Sequence, residues 1–181
     1  MKNREKENLP TVAQAGLWYK DGLRFQCQRC GNCCRGDTGY VWTTTEEIKN
    51  IALYLGLQAE EFARKYLKRI GYRFSLKELS GGDCVMYKAG SEPGTVLAGG
   101  GPGGCQIYPV RPKQCSTFPF WPSNLKSYEA WAGLKRYCNG IDKGTLYTFS
   151  AIQQISLGQA SVGETRHPEA DRPYSSHWAD T

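Results

Sequence analysis

Cysteines carry most of the chemistry that this 181-residue sequence can offer, and half of its eight cysteines fall in the run Cys27-Gln-Arg-Cys30-Gly-Asn-Cys33-Cys34. A C-x2-C pair lets two thiolates approach one metal ion from a tight turn. Gly31 suits such a turn because glycine enters left-handed backbone conformations without steric cost. A single cysteine is more often a small buried apolar residue. Four at this spacing predict a metal site.

The spacing leaves the metal open between an iron–sulfur cluster and zinc. A zinc ribbon needs a second C-x2-C pair, and the later cysteines, Cys84, Cys105, Cys115 and Cys138, lie 21, 10 and 23 residues apart. The first three cysteines match the start of a ferredoxin-type C-x2-C-x2-C run, but Cys34 follows at once and the fourth cysteine with its proline is missing. The run slightly favours iron–sulfur over zinc. The only histidines, His167 and His177, lie in a polar C-terminal stretch, so thiolates are the expected ligands.

Several segments together resemble one known family. They are CQRCGNCCRG, CVMY, GCQIYPVRPKQCSTFPFW and Cys138-Asn-Gly, which span about 27–141. This combination resembles the YkgJ-type CxxCxxCC cysteine-cluster family, and the resemblance implies that the cysteines chelate zinc or iron. The ligand candidates carried over are Cys27, Cys30, Cys33, Cys34, Cys84, Cys105, Cys115 and Cys138. Flagellin lysine N-methylases share this cysteine domain, so a methylase-like enzyme is an alternative. Those enzymes are longer, and this chain has little room for a separate methyl-donor domain.

Other residues surround the cysteines in the sequence. Tyr108 and Arg111 occupy a predicted turn, and we expect them to contact the bound group, with Arg111 donating hydrogen bonds to sulfurs or to an outside anion. A salt bridge is the other reading of Arg111. Aromatic residues that follow could wall the site and exclude solvent, or could pack in the core; they are Phe118, Phe120 and Trp121. GGGPGG at 99–104 formally matches G-x-G-x-x-G, but the strand-like CQIY follows it, which argues against nucleotide binding.

The charge balance gives little support to a nucleic-acid partner. The formal net charge is +6, but two four-thiolate sites around 2+ centres would reduce it to about +2. A helix pair around Gly56 could be a helix-turn-helix whose second helix carries basic residues, namely Arg64, Lys65, Lys68 and Arg69. A plain helical hairpin with a solvated charged face is the favoured reading. A zinc-stabilised nucleic-acid-binding module remains an alternative.

Short elements must position the cysteines. Asp21-Gly22 predicts a hairpin that leads into Cys27. Thr44 and Glu47 have capping-box spacing before a helix that ends at Gly56, with Ile48, Ile51, Ala52 and Leu55 on one face. A second helix is expected at 58–70, with Phe62, Tyr66 and Ile70 on one stripe, and further helices at 124–136 and 148–157. YRFSLKEL, CVMY and CQIY are expected to be strands. The prediction is a small, irregular, metal-stabilised α+β domain with short antiparallel strands and about four helices.

The chain is expected to consist of a flexible N-terminal arm (1–15), a cysteine-cluster metal-binding domain (16–158) and a flexible polar tail (159–181). No apolar run is long enough for a membrane span. The polar start lacks the apolar core of a secretory signal, which predicts a cytoplasmic protein with reduced thiols. The predicted function is cysteine-ligated metal binding in redox chemistry or metal handling, with a redox protein as a possible partner.

The cysteines are expected to divide between two centres. Adjacent residues in an extended chain point apart, so Cys33 and Cys34 should serve different sites or bridge a multinuclear one. If CVMY and CQIY pair as an antiparallel hairpin, Cys84 and Cys105 lie at opposite ends of it. They would then belong to different centres.

Overall fold

The computed structural model describes residues 17–36, 38–89 and 103–163. Within these residues the fold is a small α+β domain with three small antiparallel sheets, as predicted. The strands are β1 (Leu23–Phe25), β2 (Val41–Thr43), β3 (Leu67–Ile70), β4 (Arg73–Leu76), β5 (Tyr87–Ala89), β6 (Gly103–Cys105) and β7 (Thr145–Tyr147). The helices are α1 (Thr45–Tyr54), α2 (Ala59–Tyr66), α3 (Lys113–Thr117), α4 (Pro122–Leu125), α5 (Tyr128–Gly133) and α6 (Phe149–Gly163). Three of these six are only four to six residues long, which is why the sequence predicts fewer.

The strand that leads into the cysteine run pairs with a strand that lies more than 100 residues later in the chain. β1 is antiparallel to β7, with Leu23 opposite Tyr147. The predicted hairpin across Asp21-Gly22 is therefore wrong, since residues 18–21 form a turn instead of a first strand. Gly22 is required for a different reason. Its φ is +87°, and an added Cβ would meet the carbonyl oxygen of Tyr147.

The first predicted helix is confirmed in detail. Thr44 Oγ1 accepts the Glu47 backbone N–H at 3.2 Å, and Glu47 Oε2 accepts the Thr44 backbone N–H at 2.7 Å. This capping box starts α1, and Gly56 follows its end with a φ of +69°. Ile48, Ile51 and Ala52 are buried against α2 and the middle sheet, whose strand order is β2-β4-β3.

The second predicted helix is too long. α2 ends at Tyr66, and the next four residues form β3, which pairs with β4. Tertiary pairing overrides the helical pattern here because it buries Leu67 and Leu76 together. Lys68 and Arg69 consequently lie on a strand, and Lys68 is ion-paired with Glu78 at 2.7 Å. The basic face of the predicted second helix is thus divided between two elements.

The C-terminal helices also differ from the prediction. The segment 124–136 is interrupted, because Ser127 Oγ accepts the Ala130 backbone N–H at 3.2 Å and so caps a new helix, α5. A 3-10 turn, Leu134–Arg136, follows it. The helix expected at 148–157 extends to Gly163.

Two apolar clusters support the cysteine segments from either side. The first surrounds Trp131 and Ile152, includes Phe25 of β1, and packs against Cys138. The second surrounds Ile51 and Phe62 and packs against Cys84 and Cys105. No helix in the described ranges is long and apolar enough to cross a membrane. The predicted N-terminal arm, the internal segment 90–102 with four residues of GGGPGG, and the predicted tail beyond Gly163 lie outside those ranges.

Candidate metal centre

The first half of the cysteine run is held against the segment that carries Cys138. Gln26 donates its backbone N–H to the Gly140 carbonyl at 3.2 Å, and Asn32 Nδ2 donates to the Tyr137 carbonyl at 3.0 Å. The approach is so close that a Cβ on Gly140 would overlap the Gln26 carbonyl. These contacts bring Cys27 and Cys30 to the neighbourhood of Cys138.

The second half of the run is held against the Cys84 and Cys105 segments. Residues Asn32–Cys34 form a 3-10 turn, and the Cys34 carbonyl accepts the Cys84 backbone N–H at 2.8 Å. Gly31 precedes the turn with a φ of +76°, the left-handed conformation that the sequence predicts for it. Tyr87 of β5 packs against Gly31 and lies opposite Cys105 of β6.

The thiols at this end form a group in mutual contact or electrostatic reach, which we call the inner group. Its members are Cys33, Cys34, Cys84, Cys105 and Cys115. The Cys34 thiol interacts with the thiols of both Cys33 and Cys105. Cys115, on α3, interacts electrostatically with Cys33, Cys84 and Cys105. Four separate segments of the chain thus place thiols near one another.

A second set of thiols, the outer group, consists of Cys27, Cys30 and Cys138. Cys138 interacts electrostatically with Cys30, Cys33 and Cys27, so Cys33 is in reach of both groups. Cys27 is exposed and accepts the Arg29 backbone N–H on its sulfur at 3.4 Å. Every predicted ligand cysteine therefore belongs to one of the two groups.

Interactions between the thiols, together with burial, divide the thiols by acidity. The interaction with Cys34 lowers the pKa of Cys33 to about 7, and the nearby Arg111 charge acts in the same direction. The interaction with Cys34 also lowers the pKa of Cys105. The interactions with Cys105 and Cys33 raise the pKa of Cys34. Burial raises the pKa of Cys84 to about 11 and also raises that of Cys115. A pKa of about 7 leaves Cys33 partly ionised at neutral pH, and the thiolate is the form that binds metal.

Burial also raises the pKa of Cys138 in the outer group. A buried thiol of this kind resists ionisation until a cation compensates for the lost hydration. Metal binding to Cys138 would therefore release a proton.

Arg111 lies near the inner group and contacts Tyr108. Arg111 Nη1 donates to the Tyr108 carbonyl at 3.1 Å, and its guanidinium carbon lies 4.0 Å from the centre of the Tyr108 ring. The positive charge of Arg111 acts to lower the pKa values of Cys33, Cys105 and Cys115, but burial outweighs it at Cys115, whose pKa stays raised. Among the described residues Arg111 forms no ion pair with a carboxylate, so the salt-bridge reading finds no support there.

Arg29 is a candidate that the sequence reasoning missed. Its guanidinium carbon lies 4.6 Å from the centre of the same Tyr108 ring. Its φ of +54° is unusual for a residue other than glycine. The feature of the sequence that could have identified Arg29 is its position between two cysteines of the run, where the backbone must bend to bring the sulfurs together.

The aromatic residues after Cys115 belong largely to the hydrophobic core. Phe118 and Phe120 both pack edge-on against Phe25, at ring distances of 6.2 and 6.0 Å. Phe120 is 2% exposed. Trp121 Nε1 donates to the Gln114 carbonyl at 2.9 Å, next to Cys115. The same aromatic contacts thus pack the core and cover the cysteine segments.

The predicted strand positions of Cys84 and Cys105 are wrong. The hairpin does form, but its strands are β5 and β6. Cys84 therefore lies in a turn before β5, where its backbone forms an isolated antiparallel β-bridge with Glu78. The Tyr87 backbone N–H donates to the Cys84 carbonyl at 2.8 Å and closes this turn. Cys84 and Cys105 are close enough to interact electrostatically. The geometric reason for assigning them to different centres is therefore lost.

The donor set fits a thiolate-bound metal in its chemistry. As the side chains stand, however, no three or more His, Cys, Asp or Glu in the described ranges form a group that could hold an ion. Cysteine side chains would have to rotate to bind one.

Comparison with known proteins places this arrangement in a family. A family model described as "CxxCxxCC: Putative zinc- or iron-chelating domain" matches residues 26–139, which is more than half of the chain. The chain belongs to the CxxCxxCC family. The matched range includes all eight cysteines, Tyr108 and Arg111.

A relative of this CxxCxxCC chain is the uncharacterized protein MJ0661 of Methanocaldococcus jannaschii. The two are 30% identical over 132 residues, which cover 70% of this chain and 63% of the relative. The chain thus spans less than two thirds of that relative's length. No solved structure matches the chain.

Proposed function

We propose that this chain is a metalloprotein whose cysteine thiolates hold an iron–sulfur cluster or zinc, and that it acts in redox chemistry or metal handling. The observation that carries the proposal is the convergence of cysteine segments: the Cys34 carbonyl accepts the Cys84 backbone N–H at 2.8 Å, and the Cys34 thiol interacts with those of Cys33 and Cys105. The C-x2-C-x2-C spacing of Cys27, Cys30 and Cys33 favours iron–sulfur as the first candidate.

The surroundings of the inner group support thiolate ligation. Four thiolates around a 2+ centre leave a net charge of −2, which a partly buried site must offset. Arg111 supplies a positive charge beside Cys33, Cys105 and Cys115. The apolar cluster around Ile51 and Phe62 adds apolar cover on the side of Cys84 and Cys105. Such cover limits solvent access and tunes the properties of a bound metal.

The proposal includes a division of the ligands. The inner group would hold one centre, the outer group would contribute to a second, and Cys33 would be available to both. This arrangement is supported by the interactions of Cys33 with Cys34 on one side and with Cys138 on the other. Cys33 and Cys34 lie on the 3-10 turn Asn32–Cys34 and not in an extended strand, so the alternation that the sequence predicts for them does not apply.

Elemental analysis of anaerobically purified protein tests the metal. Iron with acid-labile sulfide and a visible absorbance band is the expected result. A colourless protein that contains zinc and no sulfide would overturn the iron–sulfur assignment but keep the cysteine-ligated metal site. Protein that contains neither metal after expression in iron- and zinc-supplemented medium would overturn the whole proposal.

Single cysteine variants test the division. Cys34→Ser should remove the metal of the inner group, and Cys138→Ser should remove only the metal of the outer group. Ser123→Ala, at an exposed position on α4, is the control and should leave the metal content unchanged. If Cys34→Ser and Cys138→Ser each abolish all metal binding, one centre uses both groups and the division is wrong.

A further inference from the structure

A groove of about 500 Å³ lies between α1 and the 3-10 turn Tyr108–Val110. Its α1 side is formed by Glu47, Asn50, Leu53 and Tyr54. Residues three and four apart lie on one face of a helix, so this wall is a continuous stripe. The opposite side is formed by Pro109, Val110 and Arg111. The volume is within the range of small-molecule sites, which are typically about 300–1,000 Å³.

Much of the groove surface is apolar. Leu53 is 79% exposed and Tyr54 is 46% exposed, although both follow directly on the buried residues of α1. Pro109 and Val110 face them across the groove. Ligand sites generally combine such apolar walls with a few polar groups that fix the orientation of the ligand.

Arg111 is the cationic residue of the groove. Its guanidinium is held in place by the hydrogen bond to the Tyr108 carbonyl and by stacking on the Tyr108 ring. It has no carboxylate partner among the described residues. A planar guanidinium held in this way matches a carboxylate, which it can bind through two parallel hydrogen bonds.

Glu47 lines the same groove but does not neutralise Arg111. Its Oε1 accepts the Lys113 backbone N–H and its Oε2 accepts the Thr44 backbone N–H, both at 2.7 Å. The carboxylate is thus committed to the first turns of two helices, where backbone N–H groups favour negative charge. Arg111 is left as the group that can receive an anion from outside.

We propose that this groove binds a small organic monocarboxylate with a short apolar chain. The carboxylate pairs with Arg111, and the apolar chain lies between Leu53 and Val110. Arg111 also lies near the inner group, but the proposal does not rest on metal binding.

A nuclear magnetic resonance titration of the ¹⁵N-labelled full chain, as purified, tests the proposal with hexanoate as the probe. Hexanoate should produce saturable shifts at the backbone amides of 47–54, 110 and 111. Hexanamide has the same shape without the charge. Its affinity should be lower than that of hexanoate by about tenfold or by a larger factor, as loss of one charge-assisted contact implies. Inorganic phosphate, an anion without an apolar chain, should also bind more weakly. Equal binding of hexanoate and hexanamide, or tighter binding of phosphate, would overturn the assignment.

Variants separate the two parts of the site. Arg111→Gln should reduce hexanoate binding about tenfold and leave hexanamide binding unchanged. Leu53→Ser should weaken both probes severalfold. Leu157→Ser is the matched control, since Leu157 is 66% exposed on α6 and does not line the groove. If Arg111→Gln does not fold, the comparison of Leu53→Ser with Leu157→Ser decides, and equal binding by these two contradicts the proposal.

Elemental analysis of the same samples keeps the two proposals apart. Hexanoate binding in protein without metal would contradict the proposed function alone. Metal-containing protein without saturable hexanoate binding would contradict the groove assignment alone.

Discussion

Replacing Gly31 by alanine should destabilise the chain through a specific contact. Gly31 has a φ of +76°, and an added Cβ would lie 2.7 Å from Cε2 and 3.3 Å from Cδ2 of Tyr87. A left-handed conformation costs a residue with a side chain roughly 1–2 kcal/mol. Forcing the Tyr87 ring to move adds about 1–3 kcal/mol, the usual cost of overpacking. The expected loss in the free energy of unfolding is therefore about 2–5 kcal/mol.

Gly56→Ala is the matched control for the backbone term. Gly56 has a φ of +69° and no atom within 4 Å of its added Cβ. The control should lose only the roughly 1–2 kcal/mol of the left-handed conformation. Urea unfolding followed by tryptophan fluorescence measures both variants, with metal content determined in the same samples because bound metal contributes to stability.

Tyr87→Ala completes the test. Removing the ring should make room for the alanine at 31, so Gly31→Ala should cost about 1–3 kcal/mol less in the Tyr87→Ala background than in the natural chain. The reasoning is refuted if Gly31→Ala and Gly56→Ala lose the same stability. It is equally refuted if the cost at 31 does not change when Tyr87 is absent.

Three further outcomes are expected. Cys30→Ser should lower the metal content and the thermal midpoint together; unchanged metal content would remove Cys30 from the ligands. Asp142→Ala should cost about 1–3 kcal/mol because it leaves the Nε1–H of buried Trp131, now bonded to Asp142 at 2.8 Å, without an acceptor, whereas Asp142→Asn should retain most of the stability. Burial acts to raise the pKa of Asp142, but hydrogen bonds from Lys135 and Trp131 outweigh it and lower that pKa. The charge of Asp142 therefore stabilises the fold above the ordinary carboxyl pKa, and this stabilisation is lost as the pH falls through the lowered pKa. The advantage over Asp142→Asn in urea unfolding should disappear over that acidic range.

Local signals in the sequence were sufficient where the deciding contacts are close along the chain. The capping box of Thr44 and Glu47 joins residues three apart, and both of its hydrogen bonds are present. Gly31 could be assigned a left-handed conformation because the turn between two cysteines needs it. The resemblance to the CxxCxxCC family could be recognised from the cysteine run and the segments around the later cysteines, and the family model confirms it.

The rest depended on which distant segments become neighbours. β1 pairs with β7, more than 100 residues away, and nothing near Asp21-Gly22 indicates it. Residues Leu67–Ile70 carry a helical pattern, but they pair with β4, where Leu67 lies opposite Leu76 and both are buried. The sequence supplied the thiols and the Arg111 charge. Only the tertiary structure decided that Cys34 lies near Cys105, that Cys84 lies in a turn outside the hairpin, and that Arg111 lies between the thiols and a groove. Each of these positions depends on backbone contacts between segments that are far apart along the chain.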